Sequence, residues 1–210
     1  LGFDPDRMVA ATIVMEGSRQ EVNYQQKHLF ALAKKYHGVS GGADAGRRGY
    51  MLTYAIAYIR DFVARYHIIG ETFETSAPWS KILPVCKAVE DRATEEHKKY
   101  RLPGKFYVSY RITQVYQTGA CIYFMMGLYM KGVENPAETF GRMERSLRRA
   151  ILESGGSISH HHGVGKLRAP FMTEVLTPGA IDLVRQLKGT ADPKNTFGIG
   201  NNIFCKEFPA

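Results

Sequence analysis

Five side chains able to move protons or hold anions stand out in the 210-residue chain: Arg60, Tyr123 and the contiguous His160, His161 and His162. The histidines lie in SISHHHGVGKLR, residues 157–168, just ahead of Gly163, Gly165, Lys166 and Arg168. Imidazole titrates near neutrality, so two or three rings can relay protons or divide acid and base roles. Metal ligation is poorly served, because a helix needs i and i+4 spacing to bring two rings onto one face. In an extended segment His160 and His162 point one way and His161 the other. No nearby Cys or carboxylate completes a tetrahedral set, so no metal is expected. Gly163 and Gly165 let the backbone approach a planar ligand or a phosphate, with Lys166 and Arg168 supplying positive charge. GVGK lacks the spacing of a nucleotide-binding P-loop.

Tyr123 sits in ACIYFMMGLYM, which reads as a strand. Side chains alternate across a sheet, so Ile122, Phe124, Met126, Leu128 and Met130 share one wholly apolar face that belongs on a core. Cys121, Tyr123, Met125, Gly127 and Tyr129 share the other, where Tyr123 meets solvent or a cavity. Periodicity alone ranks a half-buried packing role for Tyr123 ahead of a catalytic one. Arg60 falls on an apolar helical stripe with Leu52, Ile56 and Val63. Its guanidinium must snorkel to water or find an anion, and the pattern leaves the two equal. Asp61 beside it faces elsewhere.

The elements that must position these groups can be read from caps and periodicity. Residues 8–15 read as a strand. Ser18 and Glu21 then form a capping box for a helix ending near His37, with Gly38 as its left-handed terminator. GGADAGRRG reads as a loop and residues 50–66 as a second helix. IIGETFETS is extended, and SAPWSK opens a third helix with Pro78 in its first turn. Strands are expected at 106–116 and 120–130, joined by QTG. Asn135, Pro136 and Glu138 start a helix that Gly155 and Gly156 end. Thr177 and Pro178 open a last helix closed by Gly189, before an irregular tail. This order predicts an α+β fold, an antiparallel sheet flanked by helices. From about Ser157 onward the pattern loosens and becomes rich in Gly and His, which reads as a change of structural role.

An apolar fraction of 44% with 23% charged residues fits a globular chain with a core. No apolar run is long enough to cross a bilayer. The first residues do not read as a secretory signal, and without an initiator Met the chain is expected to be processed or cut from something longer. A net charge of +8 suggests an anionic partner, but the charge is scattered along helices, which disfavours a nucleic-acid tract. Three cysteines, Cys86, Cys121 and Cys205, have no paired spacing and read as reduced thiols.

Taken together, RGYMLTYAIAYIRDF, ETFETSAPWSK, RITQVYQTGACIYF, SISHHHGVGKLR and DPKNTFG closely resemble the C-terminal part of the alkylglycerone-phosphate (alkyl-dihydroxyacetonephosphate) synthase family. More distantly, they resemble the vanillyl-alcohol-oxidase type of FAD enzymes. The resemblance implies the fold of an FAD-linked oxidase cap and C-terminal domain, without the FAD-binding domain that precedes it in the family: residues 1–153 as the cap or substrate domain and residues 154–210 as a C-terminal segment returning to the FAD-binding domain. It implies exchange of the acyl group of acyl-dihydroxyacetone phosphate for a long-chain fatty alcohol, with FAD working without net redox change. By the same resemblance Tyr123 is the general acid/base, for which its hydroxyl needs a lowered pKa. His160, His161 and His162 assist carboxylate departure, and Arg60 clamps the phosphate or the leaving carboxylate. His161, Gly163, Gly165 and Lys166 face the cofactor.

The family further implies a peroxisomal location, peripheral membrane contact and a homodimer, with no nucleic-acid partner. The tail CKEFPA is not a Ser-Lys-Leu-type address. After CIYF, Met125-Met126-Gly127 replaces the aromatic residues expected around the lipid tunnel. This chain alone is expected to bind FAD weakly or not at all, and to be inactive. Two rival readings are a flavin oxidase or dehydrogenase of a hydroxy acid or phenol on the same fold, and a non-catalytic basic module for nucleic acid or anionic membranes.

Overall fold

A computed structural model of the chain describes residue 4 and residues 7–204, the side chain of residue 57 excepted. The chain divides into two compact units between Asp61 and Phe62. The first carries α1 (Arg19–Lys35) and most of α2 (Gly42–Ala64). The Ser18 and Glu21 capping box is formed, the Ser18 hydroxyl accepting from the Glu21 N–H and the Glu21 carboxylate from the Ser18 N–H. At the other end of α1, His37 adopts the left-handed conformation expected of Gly38. The N–H of Gly38 bonds to Ala33 O and that of His37 to Lys34 O, so the chain closes in a Schellman motif with a histidine at its pivot.

Two expectations for this unit fail. Residues 8–15 form no strand: Val9, Ile13 and Val14 are exposed, and an extended segment gains nothing without a neighbour to pair with. GGADAGRRG is largely helical, because α2 begins at Gly42, where Ala43, Ala45 and the arginines favour helix over the glycines. No described residue of this unit is buried.

The second unit holds β1 (Ile68–Pro78), α3 (Ile82–Lys99), β2 (Tyr107–Val115), β3 (Gly119–Tyr129), α4 (Pro136–Ser154), the short α5 (Met172–Val175) and α6 (Pro178–Ala191). The strands form one antiparallel sheet ordered β1-β3-β2. β3 is central, and one face of it is packed to exclusion of water: Ile122, Phe124, Met126 and Leu128, with Phe73 of β1, are all buried. Helices α3 and α4 cover this face with Val85, Val89 and Ala93, and with Met143, Leu147 and Ile151, each set spaced four apart. Phe73 and Phe124 stack with ring centroids 5.1 Å apart. Gly119 is obligatory at the start of β3, since a Cβ there would lie 2.2 Å from Ala77 O.

Some caps differ from expectation. Pro78 closes β1, and the helix starts only at Ile82 after a 3-10 turn, Trp79–Lys81. Asn135 makes no side-chain cap bond, and the Glu138 carboxylate pairs with Arg142 at 2.6 Å. Gly155 does end α4 in the left-handed region. Thr177 caps α6, which runs past Gly189 to Ala191. Asp192 stops it by accepting the N–H groups of Thr196 and Phe197, both at 2.9 Å, so DPKNTFG is a structural turn. Cys86 and Cys121 are buried free thiols; Cys205 lies outside the described residues. No described helix is long and apolar enough to cross a membrane.

Candidate active site

The second face of the same sheet is polar. Strand alternation and register bring Glu74 of β1, Tyr123 of β3 and Arg111 of β2 into one row across it. Ser76 and Cys121 form the neighbouring row, and Thr72 pairs opposite Met125. The Tyr123 hydroxyl lies 3.0 Å from Thr72 Oγ1, and the Arg111 guanidinium sits 4.9 Å from the Tyr123 ring centroid.

The segment after α4 lays the histidine strip over this face. Gly156 comes so close to the packed core that a Cβ would meet Ile151 Cγ2 at 2.6 Å. Ser157 is then stitched to the edge of β1: its N–H donates to Ser76 O, and its hydroxyl oxygen accepts from the Ser76 N–H, each at 2.9 Å. Thr75 Oγ1 donates to Ser157 O at 2.7 Å.

Beyond Ser157 the chain bends around the Glu74 carboxylate. That carboxylate accepts from the N–H of His160 at 2.6 Å, the N–H of His162 at 3.1 Å and the Ser159 hydroxyl at 2.9 Å. Arg168 Nη2 and His162 Nδ1 each lie 3.5 Å from it. A fully buried carboxylate is costly unless all its lone pairs are used. Burial alone pushes the Glu74 carboxyl up, but the two backbone N–H groups, Ser159 and Arg168 outweigh it and hold it below its ordinary value. Arg168, itself buried, also donates to Gly163 O at 2.6 Å and so closes the loop.

With their backbones fixed this way, the three rings collect instead of alternating as an extended segment would require. His160 Nδ1 and His161 Nδ1 are 3.0 Å apart, and the His161 and His162 centroids 4.3 Å. Tyr123 lies 6.0 Å from the His161 ring and 5.5 Å from the His162 ring, centroid to centroid. Burial, with repulsion from Arg168, Arg148 and the neighbouring His161, lowers the His162 pKa against the pull of Glu74. Tyr116 Oη lies 2.8 Å from His160 Nε2. The expectation that no cysteine stands near the strip is overturned, because Cys121 Sγ is 3.9 Å from His161 Nδ1.

Tyr123, His160, His161 and His162 therefore meet on one surface. Arg60 belongs to the first unit, where its side chain is 54% exposed, with Nε 3.9 Å from Asp61. Against the sequence expectation, the two neighbours do face each other, and the apolar residues Leu52 and Ile56 are themselves exposed. Gly163 and Gly165 have φ of 75° and 54°, and open space lies beside both. Exposed His161 and Lys166 flank them. An open backbone next to an imidazole and an ammonium fits the edge of a planar, anionic group such as FAD. Sequence reasoning missed Glu74, Arg111, Thr72 and Tyr116. The alternation of ETFET carried the signal for Glu74, an acid on the face that Tyr123 shares. A cleft of about 730 Å³ bordered by Arg142, Arg145, Arg149 and Phe171 lies among the helices, not at the histidines.

Residues 1–201 match the family described as FAD linked oxidases, C-terminal domain, and the chain belongs to that family. Within it, the chain is 43% identical over 202 residues to the alkyldihydroxyacetonephosphate synthase of Caenorhabditis elegans, covering 96% of this chain and 34% of that protein. It is 27% identical over 193 residues to the enzyme of the same name from Dictyostelium discoideum, covering 92% and 31%. A solved structure of an alkyldihydroxyacetonephosphate synthase superposes with a TM-score of 0.57 at 20% identity, over 84% of this chain and 28% of that one, which shows the fold. The chain thus spans about a third of the length of the curated relatives it matches.

Proposed function

We propose that the chain is the substrate-side part of an alkyldihydroxyacetonephosphate synthase. The enzyme would exchange the acyl group of acyl-dihydroxyacetone phosphate for a long-chain fatty alcohol. One C–O bond breaks to release a fatty carboxylate and one forms to the alcohol oxygen, without net oxidation. FAD, when bound, supplies the ring system that carries the substrate carbon between these events. The observation that carries the reading is the gathering of Tyr123 and the three histidines on one face, anchored by Glu74, in a chain 43% identical to a synthase.

In this reading the Tyr123 oxygen takes a proton from the reacting carbon and returns it, with Thr72 hydrogen-bonded to it and the Arg111 guanidinium lying against its ring. His160, His161 and His162 donate to the departing carboxylate and pass on the alcohol proton. The lowered pKa of His162 suits it to act as an acceptor near neutrality. Arg60 holds the phosphate or the leaving carboxylate through its two-pronged guanidinium, a role that rests on the family resemblance. His161, Gly163, Gly165 and Lys166 face the cofactor. Peroxisomal location, peripheral membrane contact and a homodimer belong to the same proposal and rest on the same resemblance.

Rapid-mixing spectroscopy of the complete flavoprotein tests the reaction class. Exchange leaves the flavin oxidised after turnover, with alkyl product and free fatty acid in equal amounts. Bleaching of the flavin by a hydroxy acid or phenol, without alkyl product, identifies an oxidase or dehydrogenase instead.

A further inference from the structure

We propose that Cys121, His160 and His161 form a binding site for a borderline-soft divalent cation of the Zn²⁺ class, and that its occupancy shuts the acid–base strip. The binding half stands on geometry alone; the inhibition half rests on the function proposed above. One ligand atom from each of the three residues lies within 4.8 Å of the others. Two of the edges are 3.0 Å between the histidine Nδ1 atoms and 3.9 Å from Cys121 Sγ to His161 Nδ1. A tetrahedral zinc with Zn–S of about 2.3 Å and Zn–N of about 2.05 Å sets its nitrogens about 3.4 Å apart and sulfur about 3.6 Å from nitrogen. These two edges lie within a few tenths of an ångström of the tetrahedral values, and the third, from Cys121 to His160, is within 4.8 Å.

The group behind His160 points the same way. The Tyr116 hydroxyl donates to Gln114 Oε1 at 3.0 Å, so toward His160 Nε2, 2.8 Å away, its oxygen can only accept. The His160 proton is thereby held on Nε2, and the Nδ1 lone pair is aimed at His161 and Cys121. In metal sites the ligating imidazole is held by its far nitrogen in this way. The backbone of His160 is pinned to Glu74, and Cys121 is fixed in the central strand, so the ligands come from rigid elements. Glu74 has its oxygens committed to backbone N–H groups and Ser159, leaving thiolate and imidazole as donors, a set that selects Zn²⁺ over Mg²⁺ or Ca²⁺. Exposed His161 leaves a fourth position open to water.

On binding, the Cys121 S–H bond breaks, an S–metal bond forms and one proton goes to the buffer. The His161 proton moves to Nε2, so both Nδ1 lone pairs are taken by the metal and neither can carry protons at the strip.

Titration of the 210-residue chain with Co²⁺ tests binding. A thiolate-to-cobalt charge-transfer band should saturate at one equivalent, vanish on adding Zn²⁺, be absent in Cys121→Ser and persist in Cys205→Ser. Tyr116→Phe should weaken binding about tenfold. No such band, or an equal one in Cys121→Ser, overturns the site whatever the enzyme's reaction proves to be. In the complete flavoprotein, Zn²⁺ should inhibit exchange, EDTA should restore it, and Cys121→Ser should keep exchange while losing zinc sensitivity more than tenfold. A Cys121-dependent band with exchange unaltered by excess zinc overturns the inhibition half alone.

Discussion

The two faces of one three-stranded sheet are built on opposite principles. On the helix side, Phe73, Ile122, Phe124, Met126 and Leu128 are held by volume, and any well-shaped apolar set could stand in for them. On the other side, Glu74, Tyr123 and Arg111 are held by hydrogen bonds and charge from particular polar neighbours. Alternate residues of the same strand thus serve packing on one side and, in the proposed function, chemistry on the other. A change on one face should leave the other property nearly untouched, with Glu74 as the exception. It is as buried as Phe73 and also shapes the histidine strip.

The largest stability effect should come from the apolar face. Phe124→Ala should cost about 3–5 kcal/mol, read from the urea midpoint. A loss below about 1 kcal/mol would mean that α3 and α4 do not depend on this face for packing. Glu74→Ala breaks the separation deliberately. It leaves Arg168 and two backbone N–H groups without their acceptor and should cost about 3 kcal/mol. It should also lower exchange in the complete enzyme, whereas Phe124→Leu should leave exchange intact. Equal activity in Glu74→Ala and the parent would remove Glu74 from the account.

Acid sharpens the same contrast. The folded Glu74 pKa lies below its ordinary value of 4.5, so the unfolded chain takes up a proton first as pH falls. Its contribution is complete above that value and is lost as pH drops through the folded pKa. Urea midpoints in metal-free buffer should fall below about pH 4.5, and Glu74→Gln should flatten that part of the curve. A parallel fall in both proteins would assign the acid sensitivity elsewhere. Gly156→Ala should cost about 1–3 kcal/mol, because its Cβ has no room against Ile151. The smallest effect belongs to Ser18→Ala, about 1 kcal/mol through loss of the α1 cap, with no change in exchange.

The features legible in the sequence were local ones. Alternation in ACIYFMMGLYM sorts core from site side chains before any partner strand is known, and Ser18, Gly155 and Thr177 mark helix ends through bonds to neighbours in the chain. The histidine geometry was not legible. It is set by a carboxylate 86 residues earlier in the chain, which converts an alternating strip into a loop with its rings together. Cys121, 40 residues from His161, escaped for the same reason. Residues 8–15 have strand composition but pair with nothing, and composition cannot supply a neighbour.

The central claim is that the polar face performs proton transfer in a redox-neutral exchange, with Tyr123 at its centre. Replacing Tyr123 by Phe in the complete flavoprotein removes one hydroxyl, and the hydrogen bond it loses, to Thr72, is worth about 1 kcal/mol. Fatty-acid release and alkyl-product formation should then fall by at least about a hundredfold, with FAD still bound and the urea midpoint almost unmoved. Turnover at the parent rate in the Tyr123→Phe enzyme would contradict the account.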